Sequence, residues 1–298
     1  MTRKFFVLAN PTAGRRKVGK LLRELSDFFL AQEHAVAFEI HETTPDLKGD
    51  QTVSQKLDHS FTDLIIMGGD GTIHEGVNGL QHNIPVSIIP AGSGNDYAKV
   101  LSLGKSLEEQ FQTTIHGQVT QVDLGSCNGR KFTNGVGVGF DGQIAADMLK
   151  RKVPLLTGQA KYYYHVLQIL SSYRSRSYRL TIDGKFQEKK MILLTVAKGT
   201  TFGGGFKLTP HADLQDGKLA LCEVAPIMAW KRYASLPRLQ NGTHDHLREV
   251  QFYKSESIVI EANDLLEGHI DGEYLGKPPF EIKVLPGALK VRQRLSST

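Results

Sequence analysis

The sequence predicts an α/β domain with a parallel sheet, followed by an all-β sandwich domain. Up to about residue 120, short apolar runs alternate with segments of helical periodicity, the order of a parallel sheet covered by helices. Beyond that point, hairpin signals and β-branched runs dominate. A chain of 298 residues is long enough for two such domains. We expect them at residues 1–122 and 123–298, with a return of the last residues to the first domain left open.

The first domain takes its strands from four short apolar runs and its helices from the segments between them. Strands are predicted at Phe5–Ala9, Ala35–Ile40, Asp63–Met67 and Pro85–Ile89. Helices are predicted at Lys17–Gln32, Asp50–Leu57 and Thr72–Leu80. The first helix has the strongest signal, because its apolar residues recur at helical spacing from Val18 to Phe29.

The second domain is expected to be mostly antiparallel. Asn128-Gly129 and Asp183-Gly184 are dipeptides typical of two-residue hairpin turns. Further strands are predicted at Met191–Val196, Leu219–Val224, Ser257–Glu261 and Phe280–Val284. Helical insertions are predicted at Gly142–Leu149, Gln159–Ser172 and Pro226–Leu236. Since no flexible linker marks the boundary near residue 122, we expect the domains to pack around a cleft.

Net charge, cysteine content and hydropathy indicate the cellular compartment of the protein and the kinds of partner that it could bind. The net charge of +5 fits an anionic partner such as a nucleotide or a membrane surface, and equally an ordinary basic surface. Cys127 and Cys222 form no CxxC pattern, which argues against a disulfide framework or a zinc site and favours the cytoplasm. No apolar stretch approaches the roughly 20 residues that cross a bilayer. No nucleic-acid-binding module is recognisable, and a homodimer is left open.

Three polar, glycine-rich turns follow apolar strands and precede helices. They are Asn10-Pro11-Thr12-Ala13-Gly14, Gly68-Gly69-Asp70-Gly71-Thr72 and Pro90-Ala91-Gly92-Ser93-Gly94-Asn95-Asp96. Glycine lets the backbone approach a phosphate closely, and a helix N-terminus adds partial positive charge. One such turn fits an ordinary connection, but three at successive strand ends favour a phosphate site. Neither the dinucleotide-binding motif nor the P-loop motif occurs at these turns.

Asp70 is the residue of the second turn that indicates a bound metal ion. A carboxylate among phosphate-binding glycines would repel the ligand unless a cation lay between them, so Asp70 indicates Mg²⁺ at nucleotide phosphates. The alternative is that Asp70 caps the helix that follows.

The run GGDGTIHE at Gly68–Glu75, preceded by NPTAG and followed by PAGSGND, resembles the diacylglycerol kinase catalytic-domain family. It is most similar to the bacterial soluble branch found in Gram-positive bacteria, and sphingosine kinases are more distant. GGDGT alone is also typical of NAD kinases and phosphofructokinases. The resemblance spans nearly the whole chain and implies the two-domain fold shared with NAD kinases.

The resemblance implies an ATP site formed by all three turns. Its residues are Asn10, Pro11, Thr12, Ala13, Gly14, Thr44, Gly68, Gly69, Asp70, Gly71, Thr72, Ile73, His74, Glu75, Gly92 and Ser93. The threonine after the second strand is either Thr43 or Thr44, and the spacing does not choose between them. The family more often has Asn where this chain has His74, although both side chains can donate a hydrogen bond.

The resemblance also implies an acid and a metal loop in the second domain. The acid is Asp123, as a further Mg²⁺ ligand, and the loop is Pro210–Leu219. In that loop the Asp216 side chain and the main-chain oxygens of Asp213 and Lys218 would hold a structural Mg²⁺ or Ca²⁺. Read alone, Asp216-Gly217 is an ordinary turn. The polar residue usual before the family's glycine run is replaced by Lys198-Gly199-Thr200.

Asp271 and Glu273 flank Gly272 and complete the predicted catalytic set. An aliphatic alcohol needs a base to take its proton before it attacks a phosphate readily. The family assigns that base to Glu273, with Asp271 beside it. Read alone, the segment is a hairpin turn.

The predicted function is ATP- and Mg²⁺-dependent phosphorylation of a lipid hydroxyl, with diacylglycerol as the first choice of substrate. The basic, tyrosine-rich segment 150–178 suits the inner membrane face, where the protein would bind peripherally, or forms a solvated helix. The alternatives are an NAD kinase and a non-catalytic lipid- or nucleotide-binding regulator.

Overall fold

The computed structural model describes residues 3–15, 17–32, 36–150 and 158–294. The chain divides into two compact units, one of Met1–Val122 with Gly287–Thr298 and the other of Asp123–Pro286. The first is an α/β unit with a parallel sheet and the second is an antiparallel sandwich, so the predicted fold class is confirmed.

The α/β unit alternates strands and helices along the chain. Its elements are β1 (Lys4–Ala9), α1 (Val18–Leu30), β2 (Ala37–Glu42), α2 (Gly49–Lys56), β3 (Asp63–Gly68), α3 (Asp70–Gly79), β4 (Val86–Pro90) and α4 (Leu107–His116). The strands lie in the order β2-β1-β3-β4, and all pairs are parallel. The carboxyl ends of β1, β3 and β4 therefore lie side by side at one edge, where ligands collect in open α/β sheets.

The core of the α/β unit is built on one face of helix α1. Its buried residues Val18, Leu22, Leu25 and Phe29 pack on Phe5 of β1 and Ile65 of β3. The last strand of the chain also belongs to this unit, since Val291 pairs in parallel with Val86. Two arginines at distant positions meet the buried Asp63: its Oδ1 accepts from Arg3 Nη2 at 2.8 Å and from Arg292 Nε at 2.6 Å.

The sandwich unit follows in chain order. It comprises β5 (Gln118–Cys127), which begins in the first unit, β6 (Arg130–Phe132), β7 (Gly135–Gly139), α5 (Phe140–Lys150), α6 (Gly158–Leu170), β8 (Arg176–Ile182), β9 (Lys185–Met191), β10 (Leu193–Ala197), β11 (Leu219–Val224), α7 (Ala229–Asn241), β12 (Val250–Ser255), β13 (Ser257–Ile260), β14 (Gly268–Ile270), β15 (Glu273–Gly276) and β16 (Phe280–Gln293), which ends in the first unit. One sheet has the order β12-β11-β10-β7-β14-β15, and β16-β13-β8-β9 belong to the other.

The two sheets of the sandwich unit enclose a common apolar core. Val138 and Leu194 contribute from the first sheet, and Leu180 and Ile258 from the second. Helices α5, α6 and α7 add a further apolar cluster against the first sheet, with Ile144, Val166 and Leu193 among its members.

Three hairpins have the same two-residue turn. Asn128-Gly129, Asp183-Gly184 and Asp271-Gly272 all have positive φ at both positions, from 46° to 87°. Such turns match the twist of the flanking strands and favour Asn or Asp followed by Gly. The sequence prediction of the first two hairpins is confirmed by the pairing of β5 with β6 and of β8 with β9.

Several element boundaries differ from the sequence prediction. The helix expected at 72–80 begins two residues earlier, at Asp70, because Gly69 occupies its N-cap. The strand expected at 35–40 is observed at 37–42, and residue 35 lies outside the described residues. The helix expected at 226–236 runs over 229–241. Helix α4 was not predicted, although Ser106 and Glu109 form a capping box at its start.

Candidate functional site

The three predicted turns meet at the edge of the parallel sheet. The Asn10 amide donates to the Met67 carbonyl at 3.1 Å, and the Ala91 amide donates to the Gly68 carbonyl at 2.8 Å. The Asn10 side chain also donates from Nδ2 to Thr72 Oγ1 at 3.3 Å. The structure therefore brings together the turn after β1, the turn after β3 and the turn after β4.

Glycine is required where the turns touch. A Cβ on Gly14, whose φ is +56°, would lie 2.0 Å from the Ala91 carbonyl oxygen. A Cβ on Gly92 would lie 2.5 Å from the Cα of Gly69. Backbone therefore packs directly on backbone at these points, with no side chain between Gly14 and Ala91 or between Gly69 and Gly92.

Gly71 differs from these packed glycines. It is exposed in the first turn of α3, and a Cβ there would meet no atom within 4 Å. Ser93 in the third turn is also exposed. An exposed glycine at the N-terminus of a ten-residue helix offers backbone amides and partial positive charge to an anion.

Asp70 is the first residue of α3, partly exposed between Gly69 and Gly71. Its Oδ1 accepts a hydrogen bond from the Tyr97 amide at 3.1 Å, which fixes the carboxylate against the segment after the third turn. That third turn is closed by Asn95, whose Oδ1 accepts from the Gly92 amide at 2.8 Å. The carboxylate is thus held in place beside the exposed end of α3.

The residues after Thr72 have their side chains inside the unit. Ile73 and His74 are buried, and the Asn78 side chain donates to the His74 carbonyl at 2.9 Å. Glu75 accepts through Oε2 from the Gly49 amide at 2.9 Å, so it anchors the start of α2. In this part of the predicted ATP site, the side chains hold α2 and α3 together.

Thr43 and Thr44 differ in how they are held. The Thr43 amide donates to the Ala9 carbonyl at 2.9 Å, which ties it to the end of β1. Thr44 is exposed, and its Oγ1 accepts from the Leu47 amide at 3.0 Å. Thr12 is also exposed, with its amide and hydroxyl both bonded to Asn10 Oδ1.

Glu273 lies in the sandwich unit, at the start of β15 directly after the Asp271-Gly272 turn. Its Oε2 accepts from Arg130 Nη2 at 2.5 Å, and both side chains are partly exposed. Arg130 was missed by the sequence reasoning. It follows the Asn128-Gly129 hairpin, but no local signal links it to a residue 143 positions away.

Asp271 supports the backbone beside Glu273. Its Oδ1 accepts from the amides of Asn134 and Gly135, both at 2.9 Å, and its Oδ2 accepts from the Thr133 amide at 2.9 Å. Such contacts fix the turn between β14 and β15 to the start of β7. The turn carries a second anchor, since the Gly272 amide donates to Nδ1 of the buried His269 at 3.2 Å.

Asp123 and the Asp216 loop surround one lysine. Lys198 Nζ donates to Asp123 Oδ2 and Asp216 Oδ1, both at 2.9 Å, and to the Lys218 carbonyl at 2.7 Å. Lys254 donates to Asp216 Oδ2 at 2.6 Å. Burial raises the pKa of Asp216, but the hydrogen bonds from Lys254 and Lys198 outweigh it and hold the pKa at about 2. Asp213 lies nearby and accepts from the Gln215 amide at 2.8 Å.

Family models match both halves of the chain. The model described as the diacylglycerol kinase catalytic domain matches residues 4–127, and the YegS C-terminal NAD kinase beta sandwich-like domain matches residues 134–293. The diacylglycerol kinase of Bacillus subtilis (strain 168) is 30% identical over 283 residues, covering 92% of this chain and 91% of that protein. The chain belongs to the diacylglycerol kinase family. The diacylglycerol kinase of Staphylococcus saprophyticus is 28% identical over 284 residues, covering 94% of this chain and 92% of that protein.

Solved structures show the fold of the diacylglycerol kinase family along the whole chain. A crystal structure of a diacylglycerol kinase from Bacillus anthracis aligns with a TM-score of 0.73 at 23% identity, over 99% of this chain and 98% of that one. An NAD kinase from Archaeoglobus fulgidus, in complex with ATP, aligns with a TM-score of 0.50 at 14% identity, over 99% and 94% of the two chains. The predictions of the family and of a lipid kinase are confirmed.

Membership of a diacylglycerol kinase family implies ATP and a divalent cation. Asp70 fits such a cation, because it offers carboxylate oxygens at a glycine-lined edge that an anion can reach. Within the described ranges, no group of three or more His, Cys, Asp or Glu side chains is arranged to hold a metal ion. The oxygens predicted as metal ligands at Asp216 and Lys218 both accept hydrogen bonds from Lys198 in the structure. None of the helices in the described part of the chain has the length and hydropathy needed to cross a bilayer.

Proposed function

We propose that this chain transfers the γ-phosphoryl group of ATP to the hydroxyl of diacylglycerol. The observation that carries the proposal is the junction of three glycine-rich turns at one sheet edge, with Asp70 fixed at the exposed end of α3. Phosphoryl transfer depends mainly on positioning and on charge stabilisation. We assign the positioning and the charge stabilisation to that edge of the sheet.

The nucleotide phosphates are assigned to the turn at Gly68–Thr72. There the amides at the N-terminus of α3 face solvent around Gly71, and the turns at Asn10–Gly14 and Gly92-Ser93 border it. Asp70 would hold Mg²⁺, which when bound neutralises phosphate charge. Among the threonines, the contact to nucleotide is assigned to Thr44, because its side chain is exposed while Thr43 is tied to β1.

Glu273 is proposed as the general base. The Arg130 hydrogen bond engages Oε2, and we assign the transferred proton to Oε1. Asp271 holds the hairpin that presents Glu273, through its hydrogen bonds to the backbone of residues 133–135. Removing the proton from the lipid hydroxyl creates the nucleophile that attacks the phosphorus in line.

The lipid is expected to be reached from a membrane surface. Helices α6 and α7 of the sandwich unit are joined by a hydrogen bond from the Tyr233 hydroxyl to the Leu167 carbonyl at 3.2 Å. Around this contact, Leu167, Trp230 and Tyr233 are exposed by 48%, 64% and 40%. The Lys231 ammonium lies 6.0 Å from the centroid of the Trp230 ring and also pairs with Glu249 at 3.1 Å. Aromatic side chains with basic neighbours suit an anionic interface. Residues 151–157 of the predicted basic segment lie outside the described residues.

The acceptor is tested with γ-labelled ATP, Mg²⁺ and the purified chain. Vesicles would contain diacylglycerol, phosphatidylglycerol, ceramide, sphingosine or undecaprenol, and NAD would be offered in solution. We expect label in the phosphorylated product of diacylglycerol. Label on NAD alone would indicate an NAD kinase, and no label on any acceptor would favour a regulator.

A further inference from the structure

Among the charged side chains that the structure describes in the sandwich unit, that of Lys198 is the most completely buried, at 0% exposed. Its ammonium group has three N–H donors, and three oxygens accept from it. They are Asp123 Oδ2 and Asp216 Oδ1 at 2.9 Å and the Lys218 carbonyl at 2.7 Å. The hydrogen-bonding capacity of this buried cation is therefore fully used.

Lys198 and the partners of its ammonium group come from three separate segments. Lys198 directly follows β10, and its amide donates to the Asn134 carbonyl at 2.8 Å. Asp123 lies on β5 and also accepts through Oδ2 from the Gly217 amide at 2.8 Å. One ammonium group thus joins β5, the end of β10 and the loop before β11.

Two of these oxygens are the ones expected to bind a metal ion in the loop at 210–219. Mg²⁺ needs six ligands at about 2.0–2.1 Å, and Ca²⁺ takes six to eight oxygens at about 2.3–2.6 Å. An ion bound to Asp216 Oδ1 and the Lys218 carbonyl would lie close to the Lys198 ammonium, which already contacts both atoms. It would be repelled by that charge and would have to displace two of its hydrogen bonds.

We propose that the Lys198 ammonium is a built-in replacement for a divalent cation at the Asp216 loop. It supplies the positive charge that Asp123 and Asp216 require, and it binds the Lys218 carbonyl as a metal would. The loop is then held by a covalently attached cation that no chelator removes. This inference does not rest on the proposed function, because it concerns the sandwich unit without nucleotide or lipid.

The test uses the full chain, treated with EDTA and free of nucleotide. Mn²⁺ is the probe, and its binding is counted by electron paramagnetic resonance for the wild type, Asp216→Asn, Lys198→Asn and the double variant. We expect the wild type and Asp216→Asn to bind the same number of ions. Lys198→Asn removes the ammonium and leaves an amide oxygen, so it should gain one Mn²⁺ site that the double variant loses.

Thermal unfolding provides the second readout. Lys198→Asn should lower Tm by about 10 °C, since it leaves the buried Asp123 without its cation and Asp216 paired with Lys254 alone, and Mn²⁺ or Mg²⁺ should restore part of the loss. Lys254→Asn is the matched control, because Lys254 also contacts Asp216 but is exposed. It should change Tm little and gain no site.

Two results would overturn the inference. One is a Mn²⁺ site in the wild type that disappears in a folded Asp216→Asn variant. The other is a Lys198→Asn variant as stable as the wild type. If Lys198→Asn fails to fold, the comparison of the wild type with Asp216→Asn still decides.

Discussion

Arg130 Nη2 donates a hydrogen bond to Glu273 Oε2 at 2.5 Å. The contact joins β6 to β15, the strands that follow the turns at Asn128-Gly129 and Asp271-Gly272. Both side chains are partly exposed, so the contact adds little to folding stability. The contact orients the Glu273 carboxylate: when a guanidinium group binds one carboxylate oxygen, the direction of the other oxygen is fixed as well.

Replacing Arg130 with Gln should lower kcat by roughly 10-fold to 100-fold while the KM for ATP stays near its wild-type value. The physical reason is that the base is less well oriented for proton transfer. Steady-state kinetics with diacylglycerol vesicles would measure this split, and Arg130→Lys should recover part of kcat. A wild-type kcat in Arg130→Gln would refute the positioning role.

Replacing Gly71 with Ala should weaken ATP binding without harming the fold. The new Cβ meets no protein atom within 4 Å, and alanine is favoured over glycine in a helix by about 1 kcal/mol. A methyl group at that exposed position would intrude on a phosphate that approaches the turn. Gly19→Ala is the matched control, since Gly19 is an exposed glycine of α1 that is equally free of neighbours. Equal Kd values for ATP in the two variants would contradict the assignment of the phosphates to this turn.

Replacing Asp271 with Asn should destabilise the sandwich unit by about 2 kcal/mol, because three backbone amides lose a charged acceptor. Asparagine tolerates the positive φ of 47° at this position, so the backbone conformation is kept. Urea denaturation would measure the change. An Asp271→Asn variant of full stability but no activity would instead make Asp271 part of the chemistry.

Replacing Trp230 with Ser should reduce binding to anionic vesicles several-fold, since a large exposed ring is lost from the face formed by α6 and α7. Phe186→Ser is the control, because Phe186 is 60% exposed on β9 and plays no part in that face. Co-sedimentation with vesicles of phosphatidylglycerol would compare them. Equal losses in both variants would argue against a specific face.

The parts predicted best from sequence were those encoded by local patterns. Strand ends and glycine turns were found around Gly68–Thr72 because apolar periodicity stops there and a helix begins. Hairpins were found at Asn128 and Asp183 because positive φ restricts the residue types that fit. Helix α4 was missed although its Ser106 capping box is a readable signal.

Local sequence patterns do not predict contacts between residues that are far apart in the chain. In the sequence, Lys198 differs from its surroundings only as a departure from a family motif, and no residue near it in the chain indicates that Asp123 and Asp216 are its partners. Arg130 has no local feature that points to Glu273. Such pairs are set by how distant strands pack, which one sequence does not display.

The role of Glu273 is best measured by the rate of label transfer from γ-labelled ATP to diacylglycerol in vesicles, compared between the wild type and Glu273→Gln. We predict labelled phosphatidic acid from the wild type and a rate lower by about 1,000-fold in the variant, since general-base catalysis is lost. The Tm and the Kd for ATP should be unchanged. A Glu273→Gln variant that labels diacylglycerol at the wild-type rate would contradict the assignment of Glu273 as the general base.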